Sequence, residues 1–85
     1  MPQLFEWDEI KEKDNLKKHH VDFIEAKTVF NDPLSITIHD PKHSIKESRF
    51  IDIGRSNMGR VLIVIYTERN NTIRIISSRI ATKRK

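Results

Sequence analysis

The 85-residue chain has no cysteine, which excludes a disulfide framework and any thiolate metal site. It has only two glycines and three prolines, and it carries no glycine-rich phosphate loop, no GxSxG elbow and no HExxH helix. Aromatic residues are few: Phe5, Trp7, Phe23, Phe30, Phe50 and Tyr66. Most sit at apolar positions and are expected in the core, which leaves no stacking platform for single-stranded nucleic acid. The longest apolar run, Val61 to Tyr66, is far too short to cross a bilayer as a helix. The start, MPQLFEWDE, lacks a basic segment followed by an apolar run, so no secretory signal is expected. The length argues for one domain, residues 1–85. A domain this small buries a modest core and leaves room for a partner to add stability.

Arginine is missing from the first half. Residues 1–48 hold seven lysines, no arginine and ten acidic residues, a net of −3, whereas residues 49–85 hold seven arginines, two lysines and two acidic residues, a net of +7. Arginine grips phosphate and carboxylate with a planar fork that lysine lacks. An arginine-rich basic half fits a polyanion or an acidic partner, and it equally fits a solvated sheet surface.

What is present reads as an ordered series of elements. Phe5-Glu6-Trp7 suggests a short strand or apolar lead-in. Asp8 is an N-cap for a helix that ends near His19–His20 and covers the core with a thin stripe, Ile10 and Leu16. Asp22 restarts a helix, with Glu25 at capping-box spacing and Val21 and Ala26 placed as a hydrophobic staple. Phe23, Ala26, Val29 and Phe30 mark its buried face, and Asn31-Asp32-Pro33 stops it. Leu34, Ile36 and Ile38 then alternate with Ser35, Thr37 and His39, the pattern of a strand with one buried face. A polar connection, residues 40–48, leads to a strand Arg49–Ile53 closed by Gly54. After a turn at Asn57-Met58-Gly59, Val61–Tyr66 reads as a central strand covered on both faces. Glu68–Asn71 reads as a hairpin loop, Thr72–Ser77 as the last strand and Ala81–Lys85 as a basic tail. The expected fold is α+β: two N-terminal helices packed on a mainly antiparallel sheet of about four to five strands.

The run Lys17-Lys18-His19-His20 invites three readings. As a metal site it is weak, because adjacent histidines diverge on a helix. His39 and His43 are four apart but lie at a strand end and in a polar loop. Basic residues at a helix C-terminus complement the macrodipole, which alone accounts for the run. A third reading is that Lys18 and His19 face a phosphodiester, lysine stabilising the anionic phosphorane and histidine moving the proton. Glu68 and Arg69 on the hairpin are most simply a solvated pair. Arg79 shares parity with Ile73 and Ile75, and on a buried face it would need a partner or a ligand. Gly54-Arg55-Ser56 could cup an anion.

Taken in order, Phe5-Glu6-Trp7-Asp8, Asn15-Leu16-Lys17-Lys18-His19, Val21-Asp22-Phe23 with Glu25-Ala26, Val29–Pro33, Arg49-Phe50 with Ile53-Gly54, Val61–Arg69 and Ile73–Ser77 with Arg79 and Ala81-Thr82 resemble the BrnT-type ribonuclease toxins over nearly the whole chain. The resemblance implies a fold like that of RelE-type toxins and a metal- and cofactor-independent endoribonuclease acting in the cytoplasm, away from membranes. It implies an RNA substrate and a cognate antitoxin with a DNA-binding portion, so that operator DNA is reached only through the antitoxin complex. It points to Lys18, His19 and Arg79 as catalytic and, as weaker transfers, to Arg55 and Arg69 as RNA contacts; beside it, Glu68 and Arg74 are counted as further RNA contacts, with Glu68 the spare candidate for base and Glu25 more simply a cap residue. The alternative is a non-catalytic nucleic-acid- or protein-binding module using the same basic face. The chain departs from the family's pattern at His20, where a glycine is usual, and it stops at Lys85, where the family runs on into a terminal helix.

Overall fold

Asp8 caps the first helix in the computed structural model, which describes residues 4–40 and 47–81. Its carboxylate accepts the Ile10 and Lys11 N–H groups at 2.8 and 3.2 Å, satisfying donors that a helix start leaves open. Strand β1 (Leu4–Glu6) precedes this helix, α1 (Glu9–His19), and is followed by α2 (Phe23–Lys27), a 3₁₀ turn (Thr28–Asn31), β2 (Ile36–Asp40), β3 (Arg49–Arg55), β4 (Val61–Arg69) and β5 (Thr72–Ile80). The helices therefore do not open the chain; a strand does. Trp7 lies outside that strand and packs edge-on against Phe23, 5.9 Å between ring centres.

The five strands form one sheet in the order β1-β5-β4-β3-β2. β1 runs parallel to β5, and the other three pairings are antiparallel. Strands β3 and β5 run past their expected ends, so Gly54 lies within β3 and Arg79 within β5. The β4–β5 turn narrows to Asn70 and Asn71, both at positive φ (51° and 67°). That geometry matches strand twist, and asparagine tolerates it.

Both helices cover one face of the sheet. Val21, Phe23, Ala26 and Val29 meet Leu62, Val64, Tyr66, Ile73 and Ile75 in the core, with Phe5, Trp7, Phe30 and Phe50 around it. The helical phase of residues 23–30 is as expected, but its last turn tightens to 3₁₀. There the Thr28 hydroxyl donates to the Glu25 carbonyl at 2.7 Å, the back-bonding by which threonine distorts a helix.

Three expectations about burial fail together. Ile10 and Leu16 are 73% and 48% exposed, so α1 does not dock by an apolar stripe. Leu34, Ile36 and Ile38 are exposed (85%, 60% and 46%), and β4 buries only the face of Leu62, Val64 and Tyr66, while Ile63 and Ile65 are partly exposed. The alternation marks a strand, but the face expected to be buried is not, because no described element covers that side. The helices supply a single layer, and β2 is the sheet's edge.

Candidate functional site

Asn15 is the buried residue of α1, and its side chain fixes the helix against β5. Its amide donates to the Ser78 carbonyl at 2.7 Å and to the Val21 carbonyl at 2.9 Å, and its oxygen accepts the Ser78 N–H at 3.1 Å. β1 pairs with β5 only at residues 72–74, so beyond them Asn15 does for the β5 edge what a neighbouring strand would do. Lys18 and His19 stand three and four positions on, the spacing that puts side chains over the same helix surface. With Lys11, Asp14 and Asn15, they line an open cleft of about 220 Å³ whose other wall is Ile76 and Ser77.

A β-bulge shapes that wall. Tyr66 pairs with Ile75 and Ile65 with Ser77, so β5 holds one extra residue, Ile76. A bulge reverses the side-chain alternation beyond it. Arg79 therefore does not share the face of Ile73 and Ile75. It is opposite Ile63, exposed, and two residues, about 7 Å of strand, beyond Ser77 in the cleft wall.

The helix end is held from behind. His20 takes the left-handed conformation (φ 61°, ψ 31°) that glycine would take more cheaply, and its N–H donates to the Leu16 carbonyl at 2.9 Å. Arg60 donates to the His20 carbonyl at 3.0 Å and clasps Glu25 with two further bonds, 2.5 and 3.0 Å, while the Ser56 hydroxyl donates to Glu25 at 2.7 Å. Glu25 is thus not a cap residue. Asp22 caps α2 by accepting the Glu25 N–H at 2.7 Å, and Glu12 accepts the Phe23 N–H at 3.1 Å. Arg60's hydrogen bonds hold the Glu25 carboxyl below its ordinary range despite burial, and Glu25 raises Arg60 in turn.

The remaining candidates do not gather in the cleft. The Arg55 N–H and the Leu34 N–H both donate to Asp32, at 2.8 and 2.9 Å, and these bonds lower the Asp32 carboxyl. The anion cupped after Gly54 is therefore the chain's own. Arg55's side chain is exposed beside a second open cleft, lined by Thr28, Asn31, Asp32, Ser56 and Asn57. Glu68, Arg69 and Arg74 lie at the other end of the sheet. Glu68 is opposite Ile73, four residues or about 13 Å of strand from Ser77. Arg69 pairs with Glu47 at 2.5 Å and Arg74 with Glu6 at 3.1 Å. His39 packs on Phe50, 5.3 Å between ring centres, and His43 lies outside the described residues. Among the described residues no cluster of three His, Asp or Glu side chains is placed to hold a metal ion, and no helix is long and apolar enough to cross a membrane.

Sequence reasoning passed over Asn15, Arg60 and the bulge. An asparagine inside a helix of charged residues was the one available signal, because asparagine is a poor helix former unless its side chain has other work.

Residues 7–85 match the model of a family described as the ribonuclease toxin BrnT of type II toxin–antitoxin systems. The chain superposes on the crystal structure of the Brucella abortus ribonuclease toxin BrnT with a TM-score of 0.70 at 24% identity, covering 96% of this chain and 100% of that one. The two share a fold. No curated protein matches the chain.

Proposed function

Because the chain belongs to the BrnT family of ribonuclease toxins, we propose that it cleaves RNA at the cleft between the last turn of α1 and the bulged part of β5, and that a cognate antitoxin neutralises it. The observation carrying this reading is the Asn15 clasp, which sets Lys18 and His19 in one cleft with Ser77, a short step along the strand from the exposed Arg79.

The chemistry needs a base, a cation and an acid. A base removes the proton of the ribose 2′-OH, O2′ attacks phosphorus, and the P–O5′ bond breaks. An acid protonates the departing O5′, leaving a 2′,3′-cyclic phosphate and a 5′-OH end. His19 carries the proton, because an imidazole ring can accept a proton at one step and donate it at the next. Lys18 stabilises charge as the phosphorane forms, and Arg79 grips the phosphate with its planar fork. Glu68, on the far end of β4, is too distant to serve the same phosphodiester; Asp14, in the cleft lining, is the nearer carboxylate.

Incubating the purified chain with RNA in chelator and analysing the cut ends tests this. Cyclic phosphate ends are expected, and His19→Ala lowers the rate by roughly 10²–10⁴-fold, the usual worth of general acid–base help. Unchanged cleavage in both His19→Ala and Arg79→Ala, with the fold intact, would refute the assignment. RNA that is bound but never cut would make the chain a non-catalytic module.

A further inference from the structure

The face of the sheet turned away from the helices carries two rows of three isoleucines. The register aligns Ile36, Ile53 and Ile63 with Arg79 in one row, and Ile38, Ile51 and Ile65 with Ser77 in the next. All six are at least partly exposed, Ile36 and Ile38 most of all. Val61, 41% exposed and opposite Arg55, extends the patch. A contiguous apolar patch of this kind on a monomer's surface marks an interaction site. At one end Arg55 and Arg79 project from the same face, and among the described residues no carboxylate forms an ion pair with Arg79. Along one side lies β2, the edge strand of the sheet among the described residues.

We infer that this face is where the antitoxin docks: a protein segment with an apolar stripe that covers the isoleucines and carboxylates that meet Arg55 and Arg79. This rests on the toxin reading above, because family membership supplies the partner but not its seat. Charge complementarity selects the occupant. RNA gains little from an aliphatic surface with no aromatic ring to stack on. A second copy would bring arginines against arginines, since the acidic residues at the far end of the face already have partners: Glu6 pairs with Arg74, and Asp40, in register with Arg49, is not free. An acidic, amphipathic segment satisfies both parts of the surface. Because Arg79 belongs to both the patch and the proposed cleavage site, a segment seated here withdraws it from RNA, so docking and neutralisation follow from one contact.

The test uses the full-length chain and, as probe, the purified protein product of the adjacent gene, with binding followed by titration calorimetry. The pairs Ile36→Thr/Ile38→Thr and Ile53→Thr/Ile63→Thr keep β-branched side chains and remove apolar surface. Ile10→Thr/Ile24→Thr, exposed on the helical side (73% and 58%), is the control. Each patch pair is expected to weaken binding at least tenfold while free-chain cleavage and melting temperature stay near the parent's; the control pair binds like the parent. Unchanged affinity in both patch pairs overturns the inference, as does a parent chain that does not bind the probe. Loss of self-association, or of RNA affinity, in place of probe affinity assigns the face to a second copy or to RNA and also overturns it. The two readings fail separately. A chain that binds through the isoleucines but cuts no RNA removes the ribonuclease assignment, and one that cuts RNA while the threonine pairs bind normally removes the docking surface.

Discussion

Asn15 shows how one residue can fix a helix end against a sheet edge. Its amide both donates and accepts across the edge of β5, so neither an apolar nor an acidic replacement reproduces it. Asn15→Ala leaves the Ser78 groups buried and unpaired, and is expected to cost about 1–3 kcal/mol in urea denaturation, with cleavage falling further than stability because Lys18 and His19 lose their bearing. Equal stability in Asn15→Leu would show that apolar contact suffices there. Glu25 is the other single residue on which much turns. Its carboxyl lies below its ordinary value of 4.5 in the fold, chiefly through the Arg60 hydrogen bond. A lowered acid pKa contributes stability above the unfolded value, and this is lost as pH falls through the folded value. Melting temperature should therefore drop as pH falls below about 4.5. Glu25→Gln should lower stability at neutral pH and flatten that acid limb; Asp32, lowered by the backbone of Arg55 and Leu34, supplies a slope that remains.

At the scale of elements, caps and breakers were legible and faces were not. Asp8, Asp22 and Pro33 set helix limits through local chemistry, and those limits hold to within about a turn. Gly54 does not close β3 as its place after Ile53 suggests; its role belongs to packing. A Cβ there would lie 2.7 Å from Ser35 Cβ and 3.0 Å from Val29 Cγ1, so β3 needs glycine where the 3₁₀ turn and the following loop press against it. Gly54→Ala is expected to destabilise by roughly 1–3 kcal/mol, the range for overpacking, measured by thermal melting. It should shift the loop that holds Asp32. The bulge in β5 is the element-scale feature that strand parity could not supply: one extra residue, Ile76, moves Arg79 to the opposite face.

Across the whole molecule, the four arginines offered as RNA contacts or as catalytic divide into two pairs. Arg55 and Arg79 stand on the helix-free face at one end of the sheet, whereas Arg69 and Arg74 are paired with Glu47 and Glu6 at the other. Surface pairs of that kind contribute little individually. Cleavage should accordingly fall tenfold or more in Arg79→Ala, the loss of about 1.4 kcal/mol or more of transition-state stabilisation. Arg69→Ala and Arg74→Ala should change it less than tenfold, as single-turnover rates would show. Equal losses at both ends would mean that RNA spans the length of the sheet.

The sequence by itself determined the number and order of strands and helices, their caps and turns, and the concentration of arginine in the second half, because each follows from contacts between residues near one another in the chain. The ordered match of residues carried the family. Only the tertiary structure decided which apolar rows are covered, which face Arg79 takes, and which of the candidate residues share a cleft. A pattern of alternation states that a strand has two sides; the number of layers packed on the sheet decides which of those sides is buried. With helices on one side only, Ile36, Ile38, Ile63 and Ile65, which read as core, remain at least partly exposed at the surface.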